Sequence, residues 1–180
     1  MLVNSYIALL RGINVNGHNM IKMAELKALF EELGFEKVKT YIQSGNVLFL
    51  ANGGAGELAV KIEKAISERF GLAVPVVIRT AEEFDSVIAN SPYPPESLAE
   101  GELIHVAFLS DIPSSEAIKR LEKYCSETEE FTLIGKNIYL LLRKNFHTSK
   151  LSANVMKLGV HATLRNWRTT AKLAELARTL

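Results

Sequence analysis

Two short stretches near the N-terminus carry residues that could bind a ligand. Arg11 and Asn14 lie in Arg11-Gly12-Ile13-Asn14-Val15-Asn16-Gly17-His18-Asn19, and Gln43, Ser44 and Asn46 in Tyr41-Ile42-Gln43-Ser44-Gly45-Asn46. A guanidinium, several amides and a hydroxyl make a donor-rich set without a built-in base. Such a set suits phosphate, carboxylate or a nucleotide. The competing reading is that Arg11 and the amides bond one another and tie two loops together. Neither reading supplies a nucleophile with its base, so no reaction and no catalytic residue is assigned, and whether the protein is an enzyme stays open.

A second polar set lies near the C-terminus: Lys150, Arg165 and Asn166, with Thr163, Trp167 and Thr169 around them. Arg165 beside Trp167 could clamp a base or a sugar. On the structural reading, Thr163 caps a helix and Trp167 fills the gap between the halves. Ser149 next to Lys150 has the composition of an activated nucleophile with a base, but neighbours on a helix point apart. Ser149 reads instead as a helix N-cap, and Lys150 remains available to an anion. Lys150, Arg165 and Asn166 complete the first site if the tail folds back to it.

Other chemistries find little support. The four histidines, His18, His105, His147 and His161, show no metal-ligand spacing, so no metal and no cofactor is expected. His105 reads as a mid-strand residue of the core or of the contact between the halves. Gly45-Asn46 and Asn52-Gly53-Gly54 lack the Gly-Lys-Ser/Thr ending of a phosphate-binding loop. The single cysteine, Cys125, allows no intrachain disulfide and suits a reducing compartment. The N-terminal apolar run is cut short by Arg11, which marks a buried strand rather than a leader or a membrane span. A cytoplasmic protein without a membrane partner is expected.

Net charge is +1 over 180 residues. It is unevenly placed: from Arg143 to Leu180 there are eight basic residues and one acidic residue, Glu175, so the tail carries +7 and the rest of the chain −6. This asymmetry fits an anionic partner, nucleic acid included. It fits equally a tail that neutralises an acidic body. An RNA-binding reading of the sheet fails at Ser44-Gly45-Asn46-Val47-Leu48-Phe49, which lacks the aromatic pattern it needs.

The elements that must position these residues follow from periodicity. Val3 to Leu10 reads as a strand, with Tyr6 to Leu10 apolar without alternation, so both faces are covered. A helix follows from Met23 to Leu33, then a strand from Lys37 to Gln43, the Ser44-Gly45-Asn46 turn and an apolar strand from Val47 to Ala51. A helix over Glu57 to Phe70 and a strand over Ala73 to Arg79, with Pro75 marking an edge, complete βαββαβ, the split-βαβ order. That order puts the first and third strands at the centre. It also brings Arg11 and Asn14 to the same end of the sheet as Gln43, Ser44 and Asn46.

A helix over Ala81 to Ala89 and the break Ser91-Pro92-Tyr93-Pro94-Pro95 precede a second round. Leu103 to Leu109 reads as a strand and Ser114 to Tyr124 as a helix. Phe131 to Ile134 and Ile138 to Leu142 read as a strand pair, and Ser149 to Leu158 as a helix. This is βαββα, without a last strand, followed by a basic helix between Arg165 and Arg178. The fold expected is α/β (α+β): two ferredoxin-like halves, residues 1–90 and 91–180, packed together. Central strands apolar on both faces call for a second cover, from the other half or from a partner subunit in a homo-oligomer.

Arg11-Gly12-Ile13-Asn14-Val15, Met23-Ala24-Glu25-Leu26, Tyr41 to Val47, Ser149-Lys150-Leu151 and Thr163 to Thr169 resemble, in order, the signature blocks of a bacterial family catalogued as domain of unknown function 1697. The resemblance spans Tyr6 to Leu176. It implies two related ferredoxin-like α/β halves and no particular activity. The chain departs from it at Phe146-His147-Thr148, where the resemblance leads one to expect a glycine-containing turn.

Overall fold

The computed structural model describes residues 2–143 and 145–180. Met1, where the first half was expected to start, and Lys144, one of the tail's cations, lie outside the described residues. The chain divides into two compact units, Met1–Ser86 with Lys172–Leu180, and Val87–Ala171.

The first unit is built from β1 (Asn4–Leu10), α1 (Met23–Glu32), β2 (Glu36–Tyr41), β3 (Asn46–Ala51), α2 (Ala55–Phe70) and β4 (Val76–Thr80). Its sheet is antiparallel throughout, in the order β2-β3-β1-β4. The apolar runs of β1 and β3 therefore lie at the centre, as their lack of alternation requires. One face, carrying Tyr6, Ala8, Leu10, Val47 and Phe49, packs under the helices. On the other, Ile7, Leu9, Leu48 and Val77 are also buried. α1 presents Leu26, Leu29 and Phe30 to the core, and α2 presents Leu58, Ile62 and Ile66 at intervals of one turn. Each of these buried side chains contributes about 1.5–3 kcal/mol of transfer free energy. Phe49 ties both layers together: its ring stacks on Phe35 at 4.6 Å and meets Phe30 edge-on at 5.3 Å. α2 ends at Gly71, whose left-handed φ of 67° lets its N–H close onto Ser67 O.

The second unit repeats the plan with β5 (Leu103–Leu109), α4 (Ser115–Glu122), β6 (Glu129–Ile134), β7 (Asn137–Leu142), α5 (Lys150–Val155) and β8 (Ala162–Asn166), its sheet in the order β6-β7-β5-β8. The strand β8 corrects the sequence reading, which left this half without a fourth strand. Thr163, Leu164 and Arg165 carry no strand signature because a buried arginine sits among them. α5 is also shorter than the expected helix from Ser149 to Leu158.

α3 (Ala81–Ala89) follows β4, and α6 (Trp167–Ala177) follows β8. Each begins on a cap supplied by its strand. Thr80 Oγ1 accepts from Glu83 N (3.1 Å) while Glu83 returns a carboxylate to Thr80 N (2.7 Å). Asn166 Oδ1 accepts from Thr169 N at 2.8 Å. The duplication extends to register. Tyr6 pairs with Thr80 where His105 pairs with Asn166, and Ile7 with Arg79 where Val106 pairs with Arg165. Among the described residues, no helix is long and apolar enough to cross a membrane.

Candidate functional site

At the end of the first sheet, main-chain bonds hold the two loops together: Leu10 N donates to Gly45 O (2.9 Å) and Arg11 N to Pro75 O (3.0 Å). The loop after β1 is a succession of left-handed residues, Gly12, Asn14, Asn16, Gly17 and Asn19. This explains why amides and glycines recur there: they tolerate a conformation that costs other residues about 1–2 kcal/mol.

Asn14 uses its whole side chain. Its Nδ2 donates to Ile21 O (3.0 Å) and Gln43 O (2.9 Å), and its Oδ1 accepts from Ile21 N (2.8 Å). Asn46 is fully buried, with Nδ2 donating to Tyr41 O (3.0 Å) and Ser44 Oγ (2.8 Å). Asn14, Gln43, Ser44 and Asn46 are thus brought together as expected, but the two asparagine amides are spent on tying the loops. Gly45 sits at the centre of this closure. A Cβ there would lie 2.7 Å from Leu10 Cβ and 2.9 Å from Ile13 Cδ1.

Arg11 differs from its neighbours. It is half-buried, and its guanidinium has no hydrogen-bond or ion-pair partner among the described residues. The Gln43 side chain beside this loop is exposed. Among the described residues, α1 starts from Lys22 with no side-chain cap; Glu25 N turns back to Lys22 O (3.0 Å), and the N–H groups of Met23 and Ala24 point out of the first turn. Ile42 adds a strained point: a β-branched, half-exposed residue held at φ 48°.

The other three expected site residues belong to the second unit, and they part company there. Arg165 is buried in β8, where its Nη1 donates to Thr163 Oγ1 (2.7 Å) and Leu164 O (2.9 Å). Desolvation by burial pushes its pKa down to about 10. Arg79 occupies the same position in β4 and donates to the carbonyl of its own preceding residue, Ile78, at 3.1 Å. Thr163 is therefore the partner of a buried arginine, and the cap of α6 is Asn166. Asn166 and Lys150 are exposed.

Ser149 is the N-cap of α5, accepting from Ser152 N at 3.0 Å. Its hydroxyl donates to Glu129, a buried carboxylate that also accepts from Leu151 N (3.3 Å). Sequence reasoning missed Glu129, which looks like one of several strand-end acids. Nor does the sequence place His105 at the border of an open cleft, where it stacks on Phe146 with ring centroids 4.4 Å apart.

Three of the tail's other cations are ion-paired. Arg143 bridges Glu102 and Glu130, Lys172 meets Glu175, and Arg178 meets Asp85. Lys150, Lys157 and Arg168 are exposed. Among the described residues no group of three or more His, Cys, Asp or Glu side chains could hold a metal ion.

Fold and site together define a class: a duplicated split-βαβ protein with a buried arginine, Arg79 or Arg165, at the matching register position of each sheet. The family described as "Protein of unknown function (DUF1697)" matches residues 3–139, and the chain belongs to it. The solved structure of the conserved bacterial protein SP0830 from Streptococcus pneumoniae is similar over 98% of this chain and 99% of that one, at 25% identity and a TM-score of 0.78. A protein assigned as a glycine cleavage system transcriptional repressor aligns over 92% of this chain and 98% of its own at 12% identity, with a TM-score of 0.25, too low to signify a shared fold. No curated protein matches the sequence.

Proposed function

We propose that this is a small-ligand-binding protein that takes an anion, phosphate- or nucleotide-containing, at the loop end of the first unit. The observation that carries the reading is Arg11, a half-buried residue whose guanidinium is without a partner among the described residues, while the Asn14 and Asn46 amides are committed. An anion would engage that guanidinium through charge-assisted hydrogen bonds. The exposed Gln43 amide and the uncapped N–H groups of α1 supply further donors at that end. Asn14, Ser44 and Asn46 serve as the frame that holds the loops in place.

The test is a titration of the protein with inorganic phosphate, then a nucleoside monophosphate, followed by amide chemical shifts. The reading expects saturable shifts gathered at residues 11–14, 22–25 and 42–45, and their loss in Arg11→Ala. Shifts scattered over exposed lysines, or unchanged in Arg11→Ala, overturn it.

A further inference from the structure

The second unit holds a cleft of about 690 Å³ over β5 and β8, bordered by Leu103, His105, Phe146, Leu164, Asn145 and Asn166. That volume lies in the range of small-molecule sites. We infer that this cleft binds a small organic acid, its apolar body against Leu103, Leu164 and Phe146 and its carboxylate oxygens on the side-chain N–H groups of His105, Asn145 and Asn166.

The cleft is a departure from the protein's own repeat. The position of His105 is taken in the first unit by Tyr6, as the shared register shows. There the space is closed: Tyr6 stacks on Phe49 at 5.8 Å, donates to Gly53 O at 2.6 Å, and lies in the core beneath the sixteen-residue α2. In the second unit the corresponding helix, α5, has six residues and follows a 3-10 turn over Phe146–Thr148. The same sheet position is filled in one unit and open in the other. Phe146-His147-Thr148, where the chain departs from the expected glycine turn, forms the wall.

The polar groups of the cleft are set up as donors. Asn166 Oδ1 is taken by Thr169 N, and Asn145 Oδ1 by His147 N at 2.9 Å. Each amide therefore has its NH₂ left over. Among the described residues, His105 Nδ1 is buried with no hydrogen-bond partner. An orphaned buried N–H is costlier than a bare ring nitrogen, which places the ring proton on Nε2. Burial pushes the pKa of His105 down to about 4, so the ring is neutral near pH 7. Among the described residues, no carboxylate lines the cleft to compete with an acid. Three neutral N–H donors over an apolar floor match acceptor oxygens on an apolar body.

The probes are hexanoate and benzoate, each compared with its amide, followed by amide and His-ring ¹⁵N shifts. We expect saturable shifts at His105, Phe146 and Asn166, with the acids ahead of the amides. Asn166→Asp is the diagnostic variant. Aspartate caps a helix as well as asparagine does, so the melting temperature should hold. The lost NH₂ and the added negative charge should weaken acid binding by at least about tenfold. His105→Phe, which keeps the ring stack, should weaken it as well. Arg11→Ala should leave it unchanged, which separates this site from the anion site of the first unit. Amides binding as well as acids would overturn the carboxylate assignment. No shifts at millimolar probe, or shifts unchanged in Asn166→Asp, would overturn the site.

Discussion

Asn14 Nδ2 donates to the main-chain oxygen of Gln43 over 2.9 Å, across a separation of 29 residues. With its two bonds to Ile21, this one amide fastens the loop after β1 to the loop after β2. Aspartate has nearly the same shape but only accepts. Asn14→Asp would set a carboxylate against two carbonyl oxygens. It should cost about 2–3 kcal/mol at neutral pH, measured by urea denaturation. A cost within experimental error would mean the loops are held by their main chains alone.

Ile42 is a test of backbone strain. It stands at φ 48° with its side chain half-exposed. At ordinary positions glycine is less stable than alanine, because its unfolded chain is freer. Here the order should reverse: Ile42→Gly should be more stable than Ile42→Ala by about 1 kcal/mol. Thermal melts of the two variants decide it. The usual order would mean the left-handed turn relaxes on substitution.

His105 predicts a pH dependence. Its folded pKa is lowered by burial from 6.5 to about 4. Between those values the unfolded chain binds more protons than the folded one, so stability rises with pH across the window and is complete above 6.5. Stability falls as the pH drops toward 4. His105→Phe removes the titrating group. The unfolding free energy of wild type minus that of the variant should therefore decrease as pH falls from 7 to 5. A difference independent of pH would mean that His105 takes up its proton as readily when folded.

The strand order was legible because burial writes itself into composition. Tyr6 to Leu10 and Val47 to Ala51 are apolar on both faces, and a central strand is the ordinary place for such a run. That the Asn14 loop meets the Gln43-Ser44-Gly45-Asn46 loop followed from topology alone. What could not be read was the division of labour inside that cluster. An asparagine that binds a ligand and one that ties a loop are the same residue, and the choice depends on whether a carbonyl such as that of Gln43 lies within 3 Å. β8 was missed for a different reason: Arg165 is a buried cation held by Thr163 Oγ1 and the carbonyl of Leu164, a local arrangement with no periodic signal. The cleft at His105 depends on α5 being six residues long, whereas the apolar pattern continues to Leu158. Glu129 stayed hidden because a buried carboxylate under a helix cap has the same letters as an exposed one.

Arg11→Ala tests the central claim most directly, with unfolding free energy and phosphate binding measured on the same sample. A guanidinium kept for a ligand, with no partner of its own, should cost well under about 1 kcal/mol of stability when removed, while phosphate binding is lost. A loss of about 3 kcal/mol or more, the cost of breaking a buried charged pair, with phosphate binding unchanged, would contradict the account and make Arg11 part of the frame.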